Sequence, residues 1–414
     1  MKWLKEKIES NEKVNLEMVI EKNGQDFPLL LEFKNTEQDP EWHAEGDVHI
    51  HTNMVIEEMY KIFEENKFSN QDKYILLMSA IFHDIAKPIT TRRKEIMGVE
   101  RVTASNHEYE GLSYLYYRFL ELDITKKERD HILELVGFHQ YPKKLVIFEE
   151  GNPEYAFKLL TENTSGKYFY FLELADMRGR ETIDYEEQIE YMELFKEYCL
   201  EFNCFETNSN IDNEIRNTIL EVYPEETENS LSYLIGKTKK RWSEGNKVDP
   251  HVIYNKYYEH KDKYSNFYVL CGLSGSGKST VVKKLTSKND NIKIVELDQL
   301  RLKHKEKRNN RREIDGKVRQ ESKELIKQYI REGYDVIFDA CNLRKDFRKI
   351  VCDLAEEYYA KTILILMDTP LSQCIKNDRD RIVRTVGEQI IYNQRKSFQY
   401  PVNSEFNEVR RKPS

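Results

Sequence analysis

Glycine, proline and cysteine are all scarce in this chain. Its 414 residues include 16 Gly, 10 Pro and 6 Cys. So little Gly and Pro argues against long disordered linkers and predicts helices joined by short loops. The cysteines, Cys199, Cys204, Cys271, Cys341, Cys352 and Cys374, are scattered and form no Cys-x-x-Cys pair. Neither a disulfide framework nor a Cys-zinc site is expected. No uninterrupted apolar run is long enough to cross a bilayer, and the charged start, Met1 to Ser10, lacks the apolar core of a signal peptide. The expectation is a soluble, cytoplasmic protein with no membrane partner. A formal net charge of −8 speaks against bulk, nonspecific coating of DNA.

What remains is long enough for two or three compact domains. Charged residues make up 33% and hydrophobic ones 39%, but 26 Tyr and 19 Phe can fill a core through aromatic burial. One local exception to the acidic balance runs from Arg301 to Lys323, with ten Lys or Arg against four Asp or Glu. Such a run is usually a solvated helix face; it can also form a groove wall that meets a phosphate backbone.

The pattern changes along the chain. Residues 1–35 read as a short helix and a strand-like segment, Phe27 to Phe33. From Val48 to about Cys204 the apolar residues follow helical spacing. A polar stretch, 208–263, reads as a helical connector. From Phe267 onward, β-rich runs alternate with helical segments: Phe267–Cys271, Ile292–Glu296, Asp335–Phe338 and Thr362–Met367. That alternation predicts a parallel α/β sheet. The expected architecture is therefore an all-α domain over 1–207, the connector, and an α/β domain over 264–414.

The segment Gly272-Leu-Ser274-Gly275-Ser276-Gly277-Lys278-Ser279-Thr280 fits the phosphate-binding loop G-x-x-x-x-G-K-[ST], after a strand-like run and before a helical one. Glycines let backbone N–H groups turn inward around phosphate oxygens, and the following helix adds its positive end. Lys278 would neutralise the β- and γ-phosphates, and Ser279 would hold Mg²⁺ delivered with ATP or another NTP. The next strand-like run leads into Asp298 and Arg301. A carboxylate there can take the proton of an attacking hydroxyl while the arginine holds a phosphate beside it. This segment resembles the Asp-x-x-Arg motif of the polynucleotide 5′-kinase family. Phe338-Asp339-Ala-Cys-Asn342-Leu-Arg344 resembles the D-[AT]-x-N-L element of the same kinases, which implies substrate contacts for Asn342 and Arg344. The stretch from Asp368 to Arg381 resembles their lid, with Arg381 as the NTP-closing arginine and Lys376, Asn377, Arg379 and Arg384 beside it. A nucleoside or small-metabolite kinase of the same fold is the competing reading.

Seven of the ten histidines, His43, His49, His51, His83, His107, His131 and His139, fall between residues 43 and 139. Adjacent His83 and Asp84 end an apolar helical pattern, and His51 upstream and Asp176 downstream are candidates to join them at a metal. Lys87 and Arg180 follow Asp84 and Asp176 at helical spacing and could bind phosphate oxygens. The series resembles the H…HD…D motif of the HD phosphohydrolase superfamily, filled in order by His51, His83, Asp84 and Asp176. The dinuclear subset of that superfamily implies a second metal on His107 and His139, the ions being Mn²⁺, Co²⁺, Ni²⁺, Fe²⁺ or Zn²⁺. His43 could touch metal, contact substrate or order its loop, whereas His49 and His131 read as structural.

An HD module followed by such a kinase resembles the bacterial HD-polynucleotide kinase family, whose N-terminal signature is similar to Asp39-Pro-Glu-Trp42-His43-x-Glu45-Gly-Asp47-Val-x-x-His51-Thr52. The resemblance implies end healing of RNA or DNA. The HD module would remove 2′,3′-cyclic and 2′- or 3′-phosphates, the kinase would phosphorylate the 5′-OH, and a separate ligase would seal the ends. A nucleotide phosphohydrolase fused to a small-metabolite kinase is the alternative.

Overall fold

Several helices of the N-terminal half begin where the sequence supplies caps. Asp47 accepts a hydrogen bond from Ile50 N at 2.9 Å and opens the helix Val48–Glu65. Ser69 with Asp72 and Thr125 with Glu128 form capping boxes for Asn70–Phe82 and Lys126–Phe138. With His107–Phe119, Gly166–Arg178 and Tyr185–Glu201, these helices pack around a core rich in buried aromatics, including Phe27, Phe82, Phe119, Tyr116 and Phe169. The computed structural model describes residues 1–147, 153–245, 249–257, 264–305, 310–381 and 385–413. It divides into two compact units, Met1–Ile211 and Asp212–Ser414.

Two expectations for the first unit are corrected. Phe27 to Phe33 is not a strand; Pro28–Asn35 is a 3₁₀ helix. Pro28 presets its first turn, and Phe27, Leu30 and Phe33, all fully buried, recur at the period of three that a 3₁₀ helix requires. The helical run is also interrupted by an antiparallel hairpin, β1 (Arg92–Ile96) and β2 (Val99–Thr103), turning at Met97 and Gly98, both with positive φ. The hairpin is largely exposed, so its strands carry no apolar alternation to betray them.

In the second unit, β3 (Asn266–Cys271), β4 (Ile292–Glu296), β5 (Asp335–Asp339) and β6 (Lys361–Asp368) form the expected parallel sheet. A fifth parallel strand, β7 (Glu408–Pro413), completes the order β4-β5-β3-β6-β7. It was unforeseen because Glu-Val-Arg-Arg-Lys-Pro has the charges and proline of an edge strand rather than an apolar run. Tyr268, Leu270, Ile337, Ile363, Ile365 and Met367 form one core layer with Val281 and Val282 of the helix Lys278–Thr286.

The polar stretch before β3 contributes the helices Ile211–Val222, Glu228–Ser243 and Pro250–Tyr257. Glu228–Ser243 is bound to the sheet layer by buried ions: Lys237 and Lys240 share Glu356, with Lys240 Nζ to Glu356 Oε1 at 2.7 Å. Lys361 Nζ on β6 adds a hydrogen bond to Ser232 Oγ at 2.6 Å. Glu356→Ala strands two buried ammonium groups, so it should destabilise the second unit by about 3–5 kcal/mol, read as a lowered unfolding midpoint. An unchanged midpoint would mean that this helix does not depend on the ion cluster.

Candidate functional sites

In the first unit the fold brings the six predicted ligands together. Each histidine is oriented by a backbone carbonyl at its Nδ1: His51 by Gly179 O at 3.1 Å, His83 by Ala80 O at 2.8 Å, His107 by Ala104 O at 2.8 Å and His139 by Val136 O at 2.9 Å. A carbonyl only accepts, so each Nδ1 carries the proton and each Nε2 presents a lone pair. Those lone pairs converge. His51 and His83 Nε2 lie 3.3 Å apart, as do His107 and His139 Nε2. Asp176 Oδ1 is 3.0 Å from His51 Nε2. Asp84 reaches both clusters, with Oδ2 at 3.2 Å from His83 Nε2 and Oδ1 at 3.1 Å from His107 Nε2.

One close approach makes this possible. A Cβ on Gly179 would lie 2.9 Å from Val55 N, so only glycine lets the end of the Asp176 helix touch the His51 helix and supply the orienting carbonyl.

Facing lone pairs and two carboxylates in a buried space repel unless cations lie among them. His51/His83/Asp176 and Asp84/His107/His139 each have the donor types and spacing to hold one. Burial and the neighbouring His107 and His83 push His139 down to about 3, so it is a neutral ligand near pH 7. Burial would raise the Asp176 carboxyl, but Arg180 and His51 outweigh it and hold it well below the usual range. Asp84 is likewise held low against burial, by His83 and Lys87. The orienting carbonyls and the neutral His139 imidazole are what a divalent ion needs.

Lys87 Nζ sits 2.7 Å from Asp84 Oδ2, and Arg180 makes a two-pronged pair with Asp176. Both line a cavity of about 420 Å³ above the cluster, together with His43, Trp42 and Gln140. His43 Nδ1 donates to Glu45 Oε1 at 2.8 Å, and burial, then Lys87, lower its pKa to about 3. His49 lies 3.0 Å from Glu17 and His131 packs on Tyr168, both away from the ligand set.

Three residues here were not anticipated. Glu45 also accepts from His51 Nδ1, at 3.1 Å. Lys143 lines the cavity, and burial with nearby Arg180 lowers its pKa. Glu173, fully buried one turn before Asp176, has no hydrogen-bond partner for either carboxylate oxygen among the described residues; burial and Asp176 raise its pKa well above the usual range. Glu45 sits within the quoted N-terminal signature; Lys143 and Glu173 lie in no motif.

In the second unit, Gly272 to Gly277 leave β3 and Gly277 opens the helix Lys278–Thr286. The loop is clamped from the side. Gln394 Oε1 accepts from Ser274 N at 2.8 Å while its Nε2 donates to Ser274 Oγ at 2.9 Å. Asn377 Nδ2 donates to Gly275 O at 2.8 Å and Thr369 Oγ1 to Ser276 O at 3.0 Å. Gly275 has φ +82°, and a Cβ there would lie 2.1 Å from Cys374 O. Lys278 Nζ donates to Gly272 O and Leu273 O at 3.0 and 2.7 Å, while Ser279 and Thr280 are exposed.

Asp298 stands two residues beyond β4, exposed, and accepts from Arg301 Nη1 at 2.7 Å. Asp339 ends β5, opposite Glu296 of β4. Burial raises its pKa, Lys278 opposes this and Asp298 adds to it, so the three groups share one electrostatic neighbourhood.

Two expected substrate contacts are otherwise engaged. Asn342 is 3% exposed, and its amide donates to Leu270 O at 2.7 Å, tying β3 to the loop after β5. Arg344 is exposed and paired with Asp346 at 2.8 Å. Arg381 Nη1 lies 3.3 Å from Asp378, and Arg379 pairs with Glu388; Arg384 lies outside the described residues. In the basic run, Lys303 and His304 both pair with Glu321.

With this geometry in view, residues 48–163 match the family model of the HD domain, and residues 268–401 match that of an AAA domain. The chain fuses a helical HD phosphohydrolase-type domain to a P-loop kinase-like domain. No curated protein matches it at a significant level. HD domains bind divalent metals and P-loop kinases use Mg-NTP, in keeping with the His/Asp clusters and the phosphate loop. No helix among the described residues is long and apolar enough to cross a membrane.

Proposed function

We propose that the chain is a bifunctional nucleic-acid end-healing enzyme. Its HD domain removes 2′,3′-cyclic and 2′- or 3′-phosphates, and its P-loop domain phosphorylates the 5′-OH. The carrying observation is the coexistence of two equipped sites: six converging ligands under a cavity lined by Lys87 and Arg180, and a phosphate loop whose Lys278, with Asp298, acts on the Asp339 carboxyl.

In the HD domain, His51, His83 and Asp176 would hold one cation and His107 and His139 the other, with Asp84 serving both. Bound there, the ions would supply an activated water and neutralise phosphoester charge. Lys87 and Arg180 bind the nonbridging oxygens, and His43, neutral and held by Glu45, contacts the substrate from the cavity wall. In the P-loop domain, Ser279 would hold the Mg²⁺ of the NTP. Asp298 accepts the proton of the 5′-OH, whose oxygen attacks the γ-phosphorus as the bond to the diphosphate leaving group breaks; Arg301 and Arg381 steady the phosphates.

The test is one RNA carrying a 5′-OH and a 2′,3′-cyclic phosphate, incubated with ATP, Mg²⁺ and Mn²⁺, Co²⁺ or Ni²⁺. The expected product has a 5′-phosphate and free 2′- and 3′-hydroxyls. If both ends stay unchanged while free nucleosides are phosphorylated, the proposal fails in favour of a small-metabolite kinase.

A further inference from the structure

A large aromatic ring left in contact with water at the wall of a cavity offers a face on which a flat ligand can stack. Trp42 is such a ring: it is 44% exposed and lines the cavity that holds Lys87, His43 and Arg180. It is also held in place. Trp42 N donates to Asp39 O at 3.2 Å, and buried Asp39 accepts from Val102 N of β2 at 3.0 Å. Arg101 of β2 lies over the ring, 5.0 Å from its centroid, and is fixed there by Asp39 and Glu41. An indole covered on one face by a guanidinium that two carboxylates hold makes a flat surface that loses little entropy when another flat group adds to it.

We infer that Trp42 is the stacking platform for the nucleobase of the residue whose phosphate enters the HD site. This deepens the phosphoesterase reading above and rests on it. The cavity, about 420 Å³, suits one nucleotide residue, with cationic groups for its phosphate and the indole for its base. Base–aromatic stacking tolerates any base, since every base has a π-face, so the platform selects nucleotides over other phosphoesters without selecting a sequence. Trp42 is thus a specificity residue: it touches the base and not the phosphorus.

The experiment compares wild type, Trp42→Ala and Trp42→Phe on adenosine 2′-monophosphate and on glycerol 2-phosphate, which has no base, with Mn²⁺. Trp42→Ala should raise KM for the nucleotide about tenfold or more, the scale of one lost stack, with kcat little changed. Glycerol phosphate turnover should not follow it, and Trp42→Phe should recover most of the loss. Equal losses on both substrates, or none on either, would overturn the assignment. A binding readout separates it from the phosphoesterase reading. Adenosine 2′-monophosphate should quench indole fluorescence in wild type, and Trp42→Phe should remove that quench while Trp3 and Trp242 still emit. If neither ester is hydrolysed, the phosphoesterase reading is lost, and the titration alone decides the stack: no quench, or one that survives Trp42→Phe, rejects it.

Discussion

Asp84→Ala should lower 3′-end processing by at least about a thousandfold and leave 5′-phosphorylation within about twofold. The size of the effect follows from the carboxylate's position between two clusters. Its Oδ2 lies 3.2 Å from His83 Nε2 and 3.5 Å from His51 Nε2, and its Oδ1 lies 3.1 Å from His107 Nε2. No other predicted ligand has one oxygen facing each cluster, so one truncation weakens both cation sites. Asp84 is 2% exposed, and its removal also leaves the buried Lys87 ammonium without its carboxylate. A thousandfold loss corresponds to about 4 kcal/mol of transition-state stabilisation, which a lost cation can account for. Metal analysis gives an independent reading, because bound divalent ion per chain should fall below the wild-type content. Asp84→Asn should behave similarly despite nearly equal volume, since the site needs the charge. Intact kinase activity in the same preparation shows that the second unit is folded. Full metal content with full phosphoesterase activity in Asp84→Ala would remove this residue from the site.

The ligand set was legible because histidine is rare in this chain and its order along the sequence matches a known motif. Fold assembly then adds what order cannot give. The spacing of Gly179 from Asp176 says nothing about Val55, yet the contact between the two helices sets His51 against its carbonyl. Glu45 looks like any loop carboxylate until folding sets it between His43 and His51. Glu173 repeats the helical spacing of many surface acids and is nevertheless fully buried. The same limit applies in the second unit. The phosphate loop was readable from eight consecutive residues, whereas its clamp, Gln394, lies 120 residues from Ser274 and belongs to no motif. Asn342 shows the opposite case: a motif position that suggested substrate contact is occupied with backbone carbonyls, because the left-handed turn at φ 48° folds its amide under β3. One buried face makes most helices and β3 to β6 readable, though not the 3₁₀ helix Pro28–Asn35; β1, β2 and β7, with little or no apolar alternation, give no such signal.

Lys278→Ala and Asp298→Ala should each abolish 5′-phosphorylation, but through different kinetic terms. Lys278 Nζ is held by Gly272 O and Leu273 O at the mouth of the phosphate loop. In the proposed reaction it is the point charge for the β- and γ-phosphates of an NTP, acting in both the ground state and the transition state. Its removal should lower kcat and raise KM for ATP, with kcat/KM falling by about a thousandfold or more. Asp298 lies outside the loop, on the helix that follows β4, and is oriented by Arg301 at 2.7 Å. As a proton acceptor it matters once the hydroxyl attacks. Asp298→Ala should therefore lower kcat by about 10²–10⁴-fold with KM for ATP nearly unchanged. Asp298→Asn should be as poor, since the amide keeps the shape and the pairing distance but cannot take the proton. Arg301→Lys then isolates the orienting contact: it retains charge but loses the planar fork, so it should fall between wild type and Asp298→Ala. If Asp298→Asn instead kept wild-type kcat, the carboxylate would be a helix-cap residue that pairs with Arg301, and Asp339, which shares its electrostatic neighbourhood with Lys278, would become the base to test. In every one of these variants the HD domain should keep its 3′-end activity, because its ligands come only from the first unit.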